Sequence, residues 1–230
     1  MANSCLLLFF VYCAIVSISE ADKTATYTKK NVPHVVTEEV WFDVLIKDYE
    51  DGEDYHGRFV IALFGEVVPM TTLNFLSLAK GVKRPNIRKQ LHYKDTPIHR
   101  IVQDFVIQMG DVVNGDGTGG ESIYGSMFVD ENFDLSHQAA GYVSMANTGT
   151  DSNSSQFFIV VNRARWLDGK HVVFGKVVRG MDVVRKVSNL ELKKNSATSK
   201  KTVFIEDCGV VGIPEKYELT PAEIRSNEDL

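Results

Sequence analysis

Between Ser155 and Gly175 the chain crowds an amide, two adjacent phenylalanines, an indole and an imidazole around a single turn. Gln156 and Phe158 stand two residues apart, so on a strand their side chains share one face, and Trp166 and His171 can return to it after the turn. The product is a concave, mainly apolar surface with few polar groups, which suits binding and orienting a ligand. Nothing in the stretch resembles an activated nucleophile or a metal cage.

Other candidate chemistries are weaker. Gly115, Gly117 and Gly120 have the spacing of a dinucleotide fingerprint, yet no helix pattern opens after them, so they read as a glycine-rich loop. Ser144, Ser154 and Ser155 lack the frame of a nucleophile elbow, which argues against a hydrolase. The six histidines show no metal-ligand spacing. No metal or cofactor is expected.

The elements that must position these residues are mostly short strands. Alternating patterns predict strands over 39–46 and 58–64 joined by an acidic turn at 48–54, and further strands over 98–102, 105–108, 141–145, 156–161, 172–177 and 202–207. Pro69 opens and Gly81 closes a helix, with Leu73, Leu76 and Leu78 expected on its buried face. A second amphipathic helix over 180–190 sets Met181, Val184 and Val187 on one side. Many short strands with two helices and glycine-rich turns predict a mainly β fold, a closed antiparallel barrel with helical caps.

The 230 residues suit one domain with tails, and 44% hydrophobic and 24% charged residues are ordinary for a globular chain. A net charge of -5 argues against a nucleic-acid binder. A loop over 80–94 carries six Lys or Arg and no acid; it reads as a solvated loop, or as a docking patch for an acidic partner.

Residues 5–18 are nearly unbroken apolar sequence followed by small residues, the pattern of a secretory signal peptide cut near Ser19 or Ala21. A signal anchor is the alternative, although ~14 apolar residues fall short of the ~20 that span a bilayer. The expected organisation is a signal peptide over 1–21, an extension over 22–38, a domain over 39–211 and a polar tail over 212–230. Cleavage removes Cys5 and Cys13, leaving Cys208 alone as a buried small hydrophobe without a disulfide. Thr220-Pro221-Ala222-Glu223 reads as a capping box for a short tail helix. The terminal Asn227-Glu228-Asp229-Leu230 is similar to a Lys-Asp-Glu-Leu retention signal with its acids transposed, which points to the endoplasmic reticulum lumen, with secretion as the alternative. Asn153-Ser154-Ser155 is a glycosylation sequon beside the concave face.

Several separated motifs together carry a family resemblance: His99-Arg100 with Phe105 and Gln108, the run Asn114 to Gly120, Ser144-Met145-Ala146-Asn147, Ser155-Gln156-Phe157-Phe158 and Trp166 to His171. From about residue 40 to 209 the chain resembles the cyclophilin family of peptidyl-prolyl cis-trans isomerases, in its secretory-pathway branch. The resemblance implies a closed eight-stranded antiparallel barrel capped by two α-helices, acting as a monomer on proline-containing polypeptides and binding cyclosporin-type cyclic peptides. It also assigns roles. Arg100 matches the catalytic arginine, and Phe105, Phe158, Leu167 and His171 match the walls of the proline pocket. Gln108 and Gln156 match its polar contacts, Ala146 and Asn147 the peptide-contacting segment, and Gly117 and Trp166 further groove positions.

Three positions depart from the family pattern. Val106 stands where methionine is usual and makes the pocket wall shallower. Thr148 replaces a small residue beside Asn147, and Met109 replaces the first glycine after Gln108. Activity is expected to persist, with reduced or shifted preference for the residue before proline.

Overall fold

The computed structural model describes residues 32–85 and 90–226. The expected leader with Cys5 and Cys13, residues 86–89 of the basic loop and the terminal Asn227-Glu228-Asp229-Leu230 lie outside the described residues. No described helix is long and apolar enough to cross a membrane.

Eight strands form one antiparallel sheet: β2 (Glu38–Glu50), β3 (Glu53–Leu63), β4 (Arg100–Val102), β5 (Val106–Met109), β6 (Tyr142–Met145), β7 (Phe157–Val160), β8 (Val173–Arg179) and β9 (Val203–Val211). The spatial order is β4-β5-β7-β6-β8-β3-β2-β9. β2 and β3 run further than the alternation suggested, because their turn tightens to Asp51 and Gly52 at φ 51° and 82°, the positive-φ pair that a two-residue hairpin favours. The segment leading into β4 meets β9, the strand at the other edge, without a ladder. Ile98 N–H donates to Val203 O (3.0 Å) and Ile205 N–H donates to Thr96 O (2.9 Å), which closes the curled sheet into the expected barrel.

Strand alternation divides two apolar clusters. Ile101, Ile107, Val143, Phe157 and Ile159 enter the main core with Phe42, Phe59, Phe75 and Tyr93. The residues between them, including Val106, Phe158 and Val160, join a second cluster on the outer face. Met109 belongs to the main core, opposite Phe157, so its bulk is absorbed inside the barrel.

Two helices flank the sheet. In α1 (Pro69–Lys80) the buried stripe runs through Thr71, Thr72, Phe75, Leu78 and Ala79. Leu73, expected on that face, is 51% exposed, since it stands about 200° around the helix from Phe75. In α2 (Met181–Ser188) the expected Met181, Val184 and Val187 are all buried.

The domain extends beyond the expected 39–211 at both ends. β1 (Val35–Val36) pairs with β10 (Tyr217–Glu218), and Leu219 is buried against the outer cluster. Isolated apolar residues in an otherwise polar tail, Ile213, Tyr217, Leu219 and Ile224, supply the stripe that docks it. Tyr217 O–H donates to the buried Glu39 (2.6 Å), which also pairs with Arg179. The buried Lys176 ammonium donates to Ala140 O (2.7 Å) and Ser226 O (3.3 Å), at the end of α3 (Pro221–Arg225). The Thr220–Glu223 capping box forms as read.

Candidate active site

The site is built on one cross-strand row. Arg100 on β4 is the register partner of Gln108 on β5, Gln108 of Phe158 on β7, and Phe158 of Ser144 on β6. The row sits on the outer face.

Along it runs a directional hydrogen-bond chain. Gln156 Nε2 donates to Gly117 O (3.0 Å) and Gly119 O (2.5 Å), leaving its Oε1 to accept from Gln108 Nε2 (2.9 Å). Gln108 Oε1 in turn accepts from Arg100 Nη1 (3.3 Å). Two carbonyls of the glycine-rich loop thus fix the sense of both amides, and the amides aim an exposed guanidinium.

Beside that guanidinium lies an apolar pocket of about 160 Å³ lined by Arg100, Phe105, Val106, Gln108, Ala146, Asn147, Phe158, Leu167 and His171. Phe158 forms its wall with His171 edge-on at 5.2 Å. Neither the backbone N–H nor the C=O of Asn147 has a partner among the described residues, so both are open to an extended peptide. Its side chain donates to Lys170 O (2.8 Å) and so ties the rim to the segment bearing His171. Val106 is only 3% exposed and contributes two methyls to the pocket wall.

Gly117, Thr148 and Gln156 line an adjoining hollow of about 210 Å³ that shares Gln108, Ala146 and Asn147 with the pocket. The two hollows form one groove. Trp166 does not line the pocket; it is 62% exposed at the lip, with its ring 5.4 Å from Phe105. Leu167 and Trp166 lie on a short 3-10 turn, Arg165–Leu167.

Some supporting residues carry no local sequence signal. The Asp111 carboxylate accepts from the backbone N–H groups of Val113, Asn114, Gly117 and Gly119 at 2.9–3.1 Å, organising the loop that supplies the Gln156 acceptors. Burial pushes its pKa up, but the four donors outweigh that and hold it below the usual carboxylate range. Gly117 has φ 91°, and a Cβ there would meet the His99 ring at 2.7 Å. Burial lowers the pKa of both His99 and His171; in His171 the hydrogen bond from Nδ1–H to Met145 O (3.0 Å) works against it.

Three other groups fall into place. Ser144 does sit in a Ser-His-Asp chain, with Oγ 2.7 Å from His137 Nε2 and His137 Nδ1 2.8 Å from Asp168, but Ser144 and His137 are fully buried. No substrate carbonyl can reach that hydroxyl. Asn153, the sequon residue, is also fully buried, and its Nδ2 donates to Phe128 O (3.3 Å) and Asp130 (2.8 Å), so a glycan on that nitrogen is incompatible with the fold. Cys208 is buried, with its thiol pushed up to about 12 by burial, as an inert core residue should be. A wider cleft of about 660 Å³ among Tyr49, Asp182, Lys186 and Lys200 is lined mainly by charged residues of both signs.

A curled eight-stranded barrel thus carries an arginine-rimmed apolar pocket on its outer face, a shape that can seat part of an extended peptide. The model of the cyclophilin type peptidyl-prolyl cis-trans isomerase/CLD family matches residues 48–210, and the chain belongs to that family. It is also 46% identical over 208 residues to the peptidyl-prolyl cis-trans isomerase CYP21-1 of Arabidopsis thaliana, covering 89% of this chain and 90% of that protein. The chain is a peptidyl-prolyl cis-trans isomerase.

Proposed function

We propose that this isomerase acts on client proteins of the secretory pathway by a non-covalent mechanism in which Arg100 stabilises the twisted X-Pro amide. An X-Pro bond resists rotation by ~18–20 kcal/mol because twisting destroys amide resonance. The catalyst has only to bind the twisted form better than either planar form. The pyrrolidine ring enters the pocket among Val106, Phe158, Leu167 and His171, while Asn147 backbone groups hold the preceding residue. Rotation localises a lone pair on the prolyl nitrogen, which then accepts from the guanidinium; the planar amide offers that lone pair far less. This is electrostatic stabilisation specific to the transition state.

The observation that carries the reading is the Gly117–Gln156–Gln108–Arg100 chain, which orients a donor at the rim of a pocket of about 160 Å³. A coupled isomerisation assay on a panel of X-Pro tetrapeptides tests it. Arg100→Ala should lower kcat by about 10²- to 10³-fold with an unchanged circular dichroism spectrum. Wild-type rates from that variant would remove Arg100 from the mechanism. Peptide binding without turnover by the unaltered chain would instead make it a proline-peptide binding module. Val106 and Thr148 shape the groove on either side of the rotating bond, so the same panel should show a shifted preference for the residue before proline. Cyclosporin-type cyclic peptides should compete for the pocket.

The secretory placement rests on the apolar run at 5–18 and on the terminal Asn227-Glu228-Asp229-Leu230. In cells, the mature chain should begin after Ser19 or Ala21 by N-terminal sequencing. Deleting the last four residues should move it from the endoplasmic reticulum to the medium, and an uncleaved cytosolic chain would overturn this placement.

A further inference from the structure

The row Arg100–Gln108–Phe158 ends at Ser144, and a buried polar chain continues from there. Ser144 Oγ meets His137 Nε2 at 2.7 Å, and both side chains are fully buried. The backbone N–H of His137 donates to Asp168 Oδ1 (2.8 Å), and His137 Nδ1 reaches the same oxygen at 2.8 Å. An ionised carboxylate can only accept, so Nδ1 carries the proton, and in the neutral imidazole Nε2 accepts from the serine hydroxyl. Burial pushes the Asp168 carboxyl up, yet the His137 and Arg165 hydrogen bonds outweigh it and keep it ionised.

His137 and Asp168 each support an element of the pocket. The His137 ring lies parallel to Phe158, 10° between planes and 6.0 Å between centroids, so it backs the wall. Asp168 terminates the 3-10 turn that carries Leu167, through its own N–H to Arg165 O (3.1 Å), and its second oxygen accepts from Arg165 Nε (3.1 Å). His137 also accepts at its C=O from Ala164 N–H (3.0 Å), at the start of that turn. The imidazole therefore joins the strand pair behind Phe158 to the end of the segment that presents Leu167, while the His137 backbone holds the start of that segment.

We propose that His137 is a positioning residue for the isomerase: with Ser144 and Asp168 it fixes the separation of the Phe158 and Leu167 walls, and hence the fit of the proline ring. This rests on the assignment of that pocket as the proline site. A wall out of place weakens binding of planar and twisted prolyl bonds alike, so the loss falls in KM and spares kcat. Loss of the Arg100 contact has the opposite signature.

Steady-state kinetics on a fixed X-Pro tetrapeptide, with thermal melts to establish folding, distinguish the two. His137→Gln keeps a group at the Nε2 position but abandons Asp168; Asp168→Asn keeps an acceptor but loses the charge. Each should raise KM about tenfold with kcat within about twofold of wild type. Ser144→Ala, which deletes one hydroxyl, should raise KM less and carries the test if the other two do not fold. Phe158→Ala serves as the reference for a lost wall. Folded relay variants with wild-type KM, alongside a raised KM in Phe158→Ala, would overturn the positioning role and leave the pocket assignment standing. A wild-type KM in Phe158→Ala would overturn both.

Discussion

At the scale of single residues, Arg100 is exposed and has few constraints of its own, so its aim depends on neighbours. Gln108→Leu keeps the approximate volume but removes the acceptor, and kcat should fall about tenfold with little change in thermal stability, read by the coupled assay and a melt. His99 and His171 make a different prediction. Both have pKa values lowered by burial, so the unfolded chain binds protons more readily than the folded one. Their stabilising contribution is whole above the ordinary histidine value of about 6.5 and is lost as pH falls below it toward the folded values. Urea midpoints should be flat from pH 8 to 7 and decline below 6.5, with a shallower decline in His171→Gln. An unchanged slope in that variant would show that the imidazole titrates normally.

At the scale of elements, the glycine-rich loop and the sharp turns carry the burden. Asp111→Ala leaves four inward-pointing N–H groups without their acceptor, and should cost about 3 kcal/mol in denaturant unfolding while lowering kcat through the loosened Gln156. Gly180 enters α2 at φ 76°, and a Cβ there would collide with the Arg58 carbonyl and Phe59 backbone. Gly180→Ala should destabilise on the order of 2–5 kcal/mol; a melt within 2 °C of wild type would contradict that geometry. Strand alternation made Gln156, Phe158 and the barrel legible in the sequence, because a period of two is local. Leu73 was misplaced because three leucines drew attention from Phe75, whose spacing to Leu78 and Ala79 sets the true stripe. Asp111 and His137 left no such trace: Asp111 works on backbone groups, and His137 meets Asp168 from 31 residues away.

At the scale of the molecule, the tail is part of the domain. Ending the chain at Gly212 removes β10, the buried Leu219 and the Tyr217 donor to Glu39, so thermal stability should fall by several degrees, consistent with a loss of about 2–4 kcal/mol. Isomerisation by the folded fraction should persist, since none of the pocket-lining residues lies beyond 212. The sequence showed the tail helix through its capping box but not its docking, because Ile213, Tyr217, Leu219 and Ile224 are spaced too irregularly to announce a buried face.

The pairing of β1 with β10, and of β2 with β9 just inside it, also sets a schedule. Each joins an early strand to a late one, so neither can form until β9 and β10 have been synthesised. During translation the first strands wait with open edges for partners not yet made. The barrel is therefore closed only once its last strands are available, and until then the open edges of the early strands are exposed to mispairing and aggregation.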